Sequence, residues 1–227
     1  ADNSQVSKVI PEESQLYYRG YNINDLVEKT TFPEVAYLLF FGELPNQDDL
    51  DIFLRIERES RDIPDGLIEV ISGLPSSAHL MDILRLGVTY LGSCDVDNRL
   101  GENSIEGSQA KAQALFAKLP TLVANGYRLI NGEAYSKPDL SKGYIENFLS
   151  MMLGAPVDDP LKHKILDASM IMYAEHGFNA STFAARVTAS TLSDYYSAIS
   201  SAIGTLKGPL HGGANEKVMD FLLEIDS

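Results

Sequence analysis

Residues 180–216 read ASTFAARVTASTLSDYYSAISSAIGTLKGPLHGGANE. Ala180, Ser181, Ala184, Ala185, Ala189, Ser190, Ser197, Ala198, Ser200, Ser201, Ala202 and Gly204 are all small. Small side chains let helix axes approach to about 8 Å, the close end of the usual range. The stretch therefore predicts two helices, roughly Ser181–Ser190 and Ser193–Leu206, in a tight helix–helix layer within one subunit or between two. Gly208-Pro209 then breaks the chain direction and presents His211 on a turn. Gly212-Gly213 permit backbone shapes and approaches that a Cβ would block. A further helix is predicted from Gly213 to Glu224. That puts His211 at the positive end of a helix dipole, where a neutral imidazole is favoured. Such a group can donate an N–H to a carbonyl oxygen that is gaining charge, as in enolisation. The plainer reading is a loop histidine that caps a turn.

Upstream, helical spacing recurs almost everywhere. Asn22 or Asn24 can cap a short helix through Lys29. Pro33 opens a helix that Gly42 ends, and the apolar run Val35–Phe41 predicts that this helix is fully buried. Asn46 starts another helix, with Leu50, Phe53, Leu54 and Glu57 in helical spacing; a short helix follows from Pro64 to Ile71, and His79 opens the next, through Leu91. The polar stretch Asp95–Gly107 reads as a surface loop. Ala110–Ile130 reads as one long helix or two, with Pro120 as the kink. Further helices are predicted over about Ser141–Leu153 and Asp158–Glu175. Only the start differs: Val6, Lys8 and Ile10, then Gln15–Tyr18, flank Pro11-Glu12-Glu13-Ser14 and read as a short β-hairpin. The fold class is all-α, mainly helical with that N-terminal hairpin.

The chain has 227 residues, 44% hydrophobic and 22% charged, enough for a sizeable core. Its formal net charge is −14. That mean field repels phosphate, so no nucleic-acid or anionic-membrane partner is expected. No apolar run approaches the roughly 20 residues a membrane span needs. The first residues, Ala1-Asp2-Asn3-Ser4-Gln5, lack the basic and apolar regions of a signal peptide. Cys94 is the single cysteine, which excludes an intrachain disulfide and fits a reducing cytoplasm. No HExxH, CxxC, Walker A or GxSxG string occurs, so no metal site is assigned and zinc, nucleoside triphosphate and serine hydrolase chemistry have no support.

Three other histidines are weighed against His211. His176, in Tyr173-Ala174-Glu175-His176-Gly177, falls at a predicted helix C-terminus with Gly177 as the residue after the cap. There it can offer charge and hydrogen bonds to an anion, or simply finish the helix. Asn179 or Ser181 can cap the helix that follows. His79 reads as a capping residue beside Asp82, and His163 as solvated.

Several strings together resemble the opening of short citrate synthases: Leu16–Ile23, Phe32–Leu39, Glu43-Leu44-Pro45, His79–Arg85, and Ser190–Ala198 between the His176 and His211 strings. Leu80 stands where that family usually has proline. The resemblance runs the length of the chain, in order. It implies an almost entirely helical fold with a large and a small domain, dimeric through antiparallel large-domain helices, here residues 180–206. It implies acetyl-CoA condensing with oxaloacetate to citrate and CoA, with no tightly bound cofactor. By resemblance His211 is catalytic, hydrogen-bonding the thioester oxygen while an aspartate removes the α-proton, and His176 binds oxaloacetate. The family's second histidine motif, its aspartate, carboxylate-binding arginines and CoA-binding segment match nothing here and would follow Ser227. The chain is thus expected to be an N-terminal portion: residues 1–210 a partial large domain, 211–227 the truncated start of the small one, inactive alone. CoA-binding residues are not assigned. Two alternatives remain, a 2-methylcitrate synthase using propionyl-CoA and a non-catalytic helical dimerisation module.

Overall fold

The computed structural model describes residues 4–96 and 104–213. The N-terminal strands β1 (Ser7–Ile10), β2 (Gln15–Tyr18) and β3 (Tyr21–Asn22) form an antiparallel sheet in sequence order. Ser7 pairs with Tyr18 and Ile10 with Gln15 across the predicted hairpin. The third strand was not expected. It forms because Arg19 and Gly20 both take positive φ, 50° and 93°, the two-residue turn whose twist matches paired strands.

Ten helices follow among the described residues: α1 (Ile23–Lys29), α2 (Phe32–Phe41), α3 (Gln47–Glu59), α4 (Asp65–Ser72), α5 (Leu80–Cys94), α6 (Ile105–Ile130), α7 (Tyr144–Leu153), α8 (Pro160–Tyr173), α9 (Ala180–Ser190) and α10 (Tyr195–Leu206). Most of their starts are set by side-chain caps. Asn22 accepts from the Asn24 N–H at 2.9 Å, and Asn46 from Asp49 at 3.0 Å. Glu34 accepts from both the N–H and the hydroxyl of Thr31 at 2.7 Å, closing the first turn of α2. Most predicted helices are present, with starts shifted by one to five residues. Of the segment expected as a loop, residues 97–103 lie outside the described residues; α5 ends just before it at Cys94, and α6 begins inside it at Ile105. The early start follows from Ser104, which accepts from the Gly107 N–H at 2.9 Å.

Helix α2 corrects a second expectation. Pro33, Val35, Ala36 and Leu38 are buried, but Phe41 is 41% exposed. Its outer face is covered only in part, by Tyr37, Phe41 and Phe53 packing on one another.

Helix α6 is one helix that runs on through Pro120. Proline has no N–H for the carbonyl four residues back, here that of Phe116. The Tyr144 hydroxyl of α7 donates to that carbonyl at 3.0 Å, and its ring stacks on Phe116 with centroids 4.5 Å apart. Beside this contact lies a buried ion pair. Arg61 donates through Nε and Nη2 to the two carboxylate oxygens of Glu57, each at 2.8 Å, with both side chains 1% exposed. Its Nη1 donates to the Asp139 and Lys142 carbonyls at 2.7 and 3.0 Å, tying α3 to the segment that leads into α7.

The largest apolar cluster surrounds α5: Leu67, Ile71, Ile83, Val88, Leu122 and Ile203 are buried together. A Cβ on Gly87 would sit 2.3 Å from Leu122 of α6, and one on Gly92 2.7 Å from Tyr196 of α10. Helix α5 is therefore held between α6 and α10 at two sites where any side chain collides. Helices α9 and α10 pack along each other, as the small residues predicted, but no residue of α9 is buried. No helix of the described residues is long and apolar enough to cross a membrane.

Tyr144→Phe is expected to destabilise the chain by about 1–3 kcal/mol, because the Phe116 carbonyl then lacks a donor. Arg61→Met should cost about 3–5 kcal/mol by leaving the Glu57 carboxylate buried and unpaired, and adding Glu57→Met should recover part of it. Urea denaturation midpoints of the variants measure both.

Candidate active site

The His211 turn is built by helix α10. Asp194 caps the helix start, accepting from the Ser197 N–H at 3.0 Å. At the other end the chain folds back on itself. The His211 N–H donates to the Gly208 carbonyl at 2.9 Å, and the Gly212 N–H to the Leu206 carbonyl at 3.0 Å. A Cβ on Gly212 would lie 2.1 Å from that same carbonyl oxygen, so only glycine fits. Gly213 has helical backbone, the expected start of the next helix; the remainder of the predicted Gly213–Glu224 helix lies outside the described residues.

His211 is half-buried, and its Nε2 lies 2.8 Å from the Ser181 Oγ in the first turn of α9. Of the two residues that could have capped α9, Asn179 does so, accepting from the Thr182 N–H at 2.7 Å. Ser181 is thereby left to meet the histidine. Composition could not single out Ser181, one of twelve small residues in its stretch; only the tertiary path of the His211 turn brings the two together.

The turn is also anchored from α5. Lys207 Nζ donates to Asp82 Oδ2 at 2.5 Å. This hydrogen bond, with the charges of Lys207 and Arg85, holds the Asp82 carboxyl below its ordinary value. His79 caps the same helix, its Nδ1 accepting from the Met81 N–H at 3.1 Å, as its position suggested.

His176 departs from its predicted place. Helix α8 ends at Tyr173 with Ala174 as its cap, so His176 is exposed in the connection to α9 rather than at a helix C-terminus. Gly177 does take positive φ, 75°, but too late to cap α8. The helix stops early because the β-sheet captures its end. The Tyr18 hydroxyl donates to the Ile171 carbonyl at 2.9 Å, with that of Met172 at 3.1 Å, and accepts from the Glu175 N–H at 3.2 Å. Burial raises the Tyr18 phenol above its ordinary value and keeps it a donor. The Glu175 carboxylate accepts from Ser7 Oγ at 3.2 Å and from the Gly177 N–H, which fixes the His176 connection to β1. His176 and His211 thus belong to one end of α9: the first in the segment entering it, the second against its first turn. His163, expected in solvent, is half-buried on α8, with its Nε2 out of solvent. Among the described residues no group of three or more His, Cys, Asp or Glu is placed to hold a metal ion.

Two outcomes follow from this geometry. Gly212→Ala should displace His211 from Ser181, seen as a changed imidazole environment in NMR spectra. Asp82→Asn should lower the melting temperature at neutral pH. A depressed folded-state pKa contributes stability that is present above the ordinary value of 3.8 and lost as pH falls through the depressed one. The difference between variant and parent in melting scans should therefore shrink below pH 3.8.

The family model described as citrate synthase, C-terminal domain, matches residues 1–227. Citrate synthase of Mycolicibacterium smegmatis is 46% identical over 226 residues, which is 100% of this chain and 59% of that protein. 2-Methylcitrate synthase 1 of Corynebacterium glutamicum is 47% identical over 232 residues, covering 100% of this chain and 60% of its own length. Among solved structures, the ternary complex of carboxymethyl coenzyme A and oxaloacetate with the citrate synthase of Thermoplasma acidophilum superposes with a TM-score of 0.91 at 27% identity, covering 100% of this chain and 58% of that one. The chain spans about three-fifths of the length of the curated relatives it matches.

Proposed function

The chain belongs to the citrate synthase family, and on that premise we propose that it serves the condensation of an acyl-CoA with oxaloacetate, with His211 catalytic and His176 a substrate ligand. The observation that carries this reading is the 2.8 Å contact between Ser181 Oγ and His211 Nε2 on a turn that only glycine can close. With the serine hydroxyl donating to Nε2, the imidazole carries its proton on Nδ1. That N–H is then the donor to the thioester oxygen, which gains negative charge as the α-proton leaves. The resulting enol attacks the ketone of oxaloacetate, and hydrolysis of the thioester releases CoA. His176, exposed at the same end of α9, is a hydrogen-bond donor to the oxaloacetate carboxylates. The acyl-CoA is a substrate, and this chemistry calls for no tightly bound cofactor.

The proton-accepting aspartate of this scheme is unmatched in the 227 residues, so this polypeptide alone is proposed to be inactive. The Lys207–Gly213 turn is then the passage from the helical body (1–210) to a second domain beginning at 211. A second copy of the chain is proposed to pack on residues 180–206. Phe183, Val187 and Leu192 are 70%, 51% and 81% exposed there, which supports an apolar partner surface. A reducing cytoplasm suits the exposed, unpaired Cys94.

The acyl group is the open choice, since relatives of near-equal identity are a citrate synthase and a 2-methylcitrate synthase. CoA release with oxaloacetate, using acetyl-CoA and propionyl-CoA in turn, measures it in the intact protein. His211→Gln is expected to lower kcat by about 10²–10³-fold, the usual effect of removing one such donor. An unchanged kcat in that variant would sink the reading. Turnover by the 227-residue chain at an ordinary enzymatic rate would refute its inactivity, and dimerisation without turnover by the intact protein would favour a non-catalytic module.

A further inference from the structure

A cleft of about 450 Å³ opens between α2, α3, the start of α7 and α8. Its basic lining is Arg58, Arg61, His163 and Lys164, and its acids are Glu146 and Asp167. Arg61 is neutralised by Glu57, as above. The two acids are also engaged. Glu146 lies 3.5 Å from Lys142 Nζ, and Asp167 accepts from the Phe32 N–H at 3.0 Å. Burial raises the Asp167 carboxyl above its ordinary value.

Two of these lining residues carry a nitrogen without a partner. Arg58 Nε and His163 Nε2 are both removed from solvent, and neither meets a hydrogen-bond acceptor or donor. Buried polar nitrogens are nearly always paired, and an exception calls for an explanation. Arg58 stands in the last turn of α3, where its charge suits the helix dipole, but that does not satisfy its Nε. The cleft therefore combines two uncompensated cations, Arg58 and Lys164, with two unsatisfied nitrogens, in a chain whose net charge is −14. Its remaining walls, Pro33, Leu54, Tyr144 and Ile145, are apolar over much of their surface.

We propose that this cleft is a binding site for a small oxyanion of charge −2 or more, a phosphate or a dicarboxylate, held by Arg58, His163 and Lys164. Arginine gives a planar fork of donors, lysine a point charge, and the imidazole one further hydrogen bond. The apolar walls leave room for an organic body attached to the anion. The site is separate from the His211 turn and does not rest on the condensation reading.

Isothermal titration of the full chain with inorganic pyrophosphate and with succinate, at matched ionic strength, tests it. Saturable binding of either probe is expected, with its affinity falling at least tenfold in Arg58→Gln, His163→Gln and Lys164→Gln. Lys8→Gln, which removes one charge from the exposed edge of β1, should leave it unchanged, as should His176→Gln and His211→Gln. Pyrophosphate alone would assign a phosphate ligand, and succinate alone a dicarboxylate. Loss in Lys8→Gln equal to that in Lys164→Gln would reduce the effect to general charge and overturn the site. Loss confined to the His176 or His211 variants would move the anion to the condensation site and overturn it too, as would absence of saturable binding. Lys164 is exposed, so its variant tests the site without disturbing the core.

Discussion

Helix α5 can lie against both α6 and α10 only because Gly87 and Gly92 carry no side chain where those helices cross it. The contact fixes three helices at once. Helix α10 leads directly into the His211 turn, and α5 anchors that turn a second time through Asp82 and Lys207. A shift of α10 away from α5 would move the turn with it. The position of one imidazole thus depends on two absent Cβ atoms, and packed helices transmit such displacements because interiors have little free volume.

A second constraint is polar. Proline in α6 leaves the Phe116 carbonyl without its helical donor, and a tyrosine from α7 supplies one. The Glu57–Arg61 pair is buried with both carboxylate oxygens and every guanidinium nitrogen hydrogen-bonded, one nitrogen to two carbonyls of the segment before α7. Both devices dock α7, and both set a polar group out of water only where a partner is already present. The cleft lined by Arg58 and His163 lies against the same docked segment and departs from this economy, since one nitrogen of each residue lacks a partner.

The two histidines of the proposed active site come to one end of α9 by different means. Glycine geometry and a serine hydroxyl locate His211. The N-terminal sheet locates His176 at a distance in sequence, through Tyr18 and Ser7 acting on the end of α8. The small β-sheet is therefore a brace for the segment that enters α9, which explains why a mainly helical chain begins with strands.

Local chemistry written in the sequence determined the helices, most of their caps and the His211 turn. The helix starts at Asn22, Asn46 and His79 and the break at Gly208-Pro209 rest on neighbours within six residues, and small residues allow α9 and α10 to meet. The early end of α8 was not legible, because a tyrosine more than 150 residues away captures its carbonyls. Nor was the continuity of α6 through Pro120, which depends on a hydroxyl from another helix. Ser181 was indistinguishable from its small neighbours, and His163 read as solvated, since periodicity reports a helix face but not what lies across from it. Short-range hydrogen bonds are encoded by adjacent residues; which distant group completes a buried valence is decided only when the helices pack.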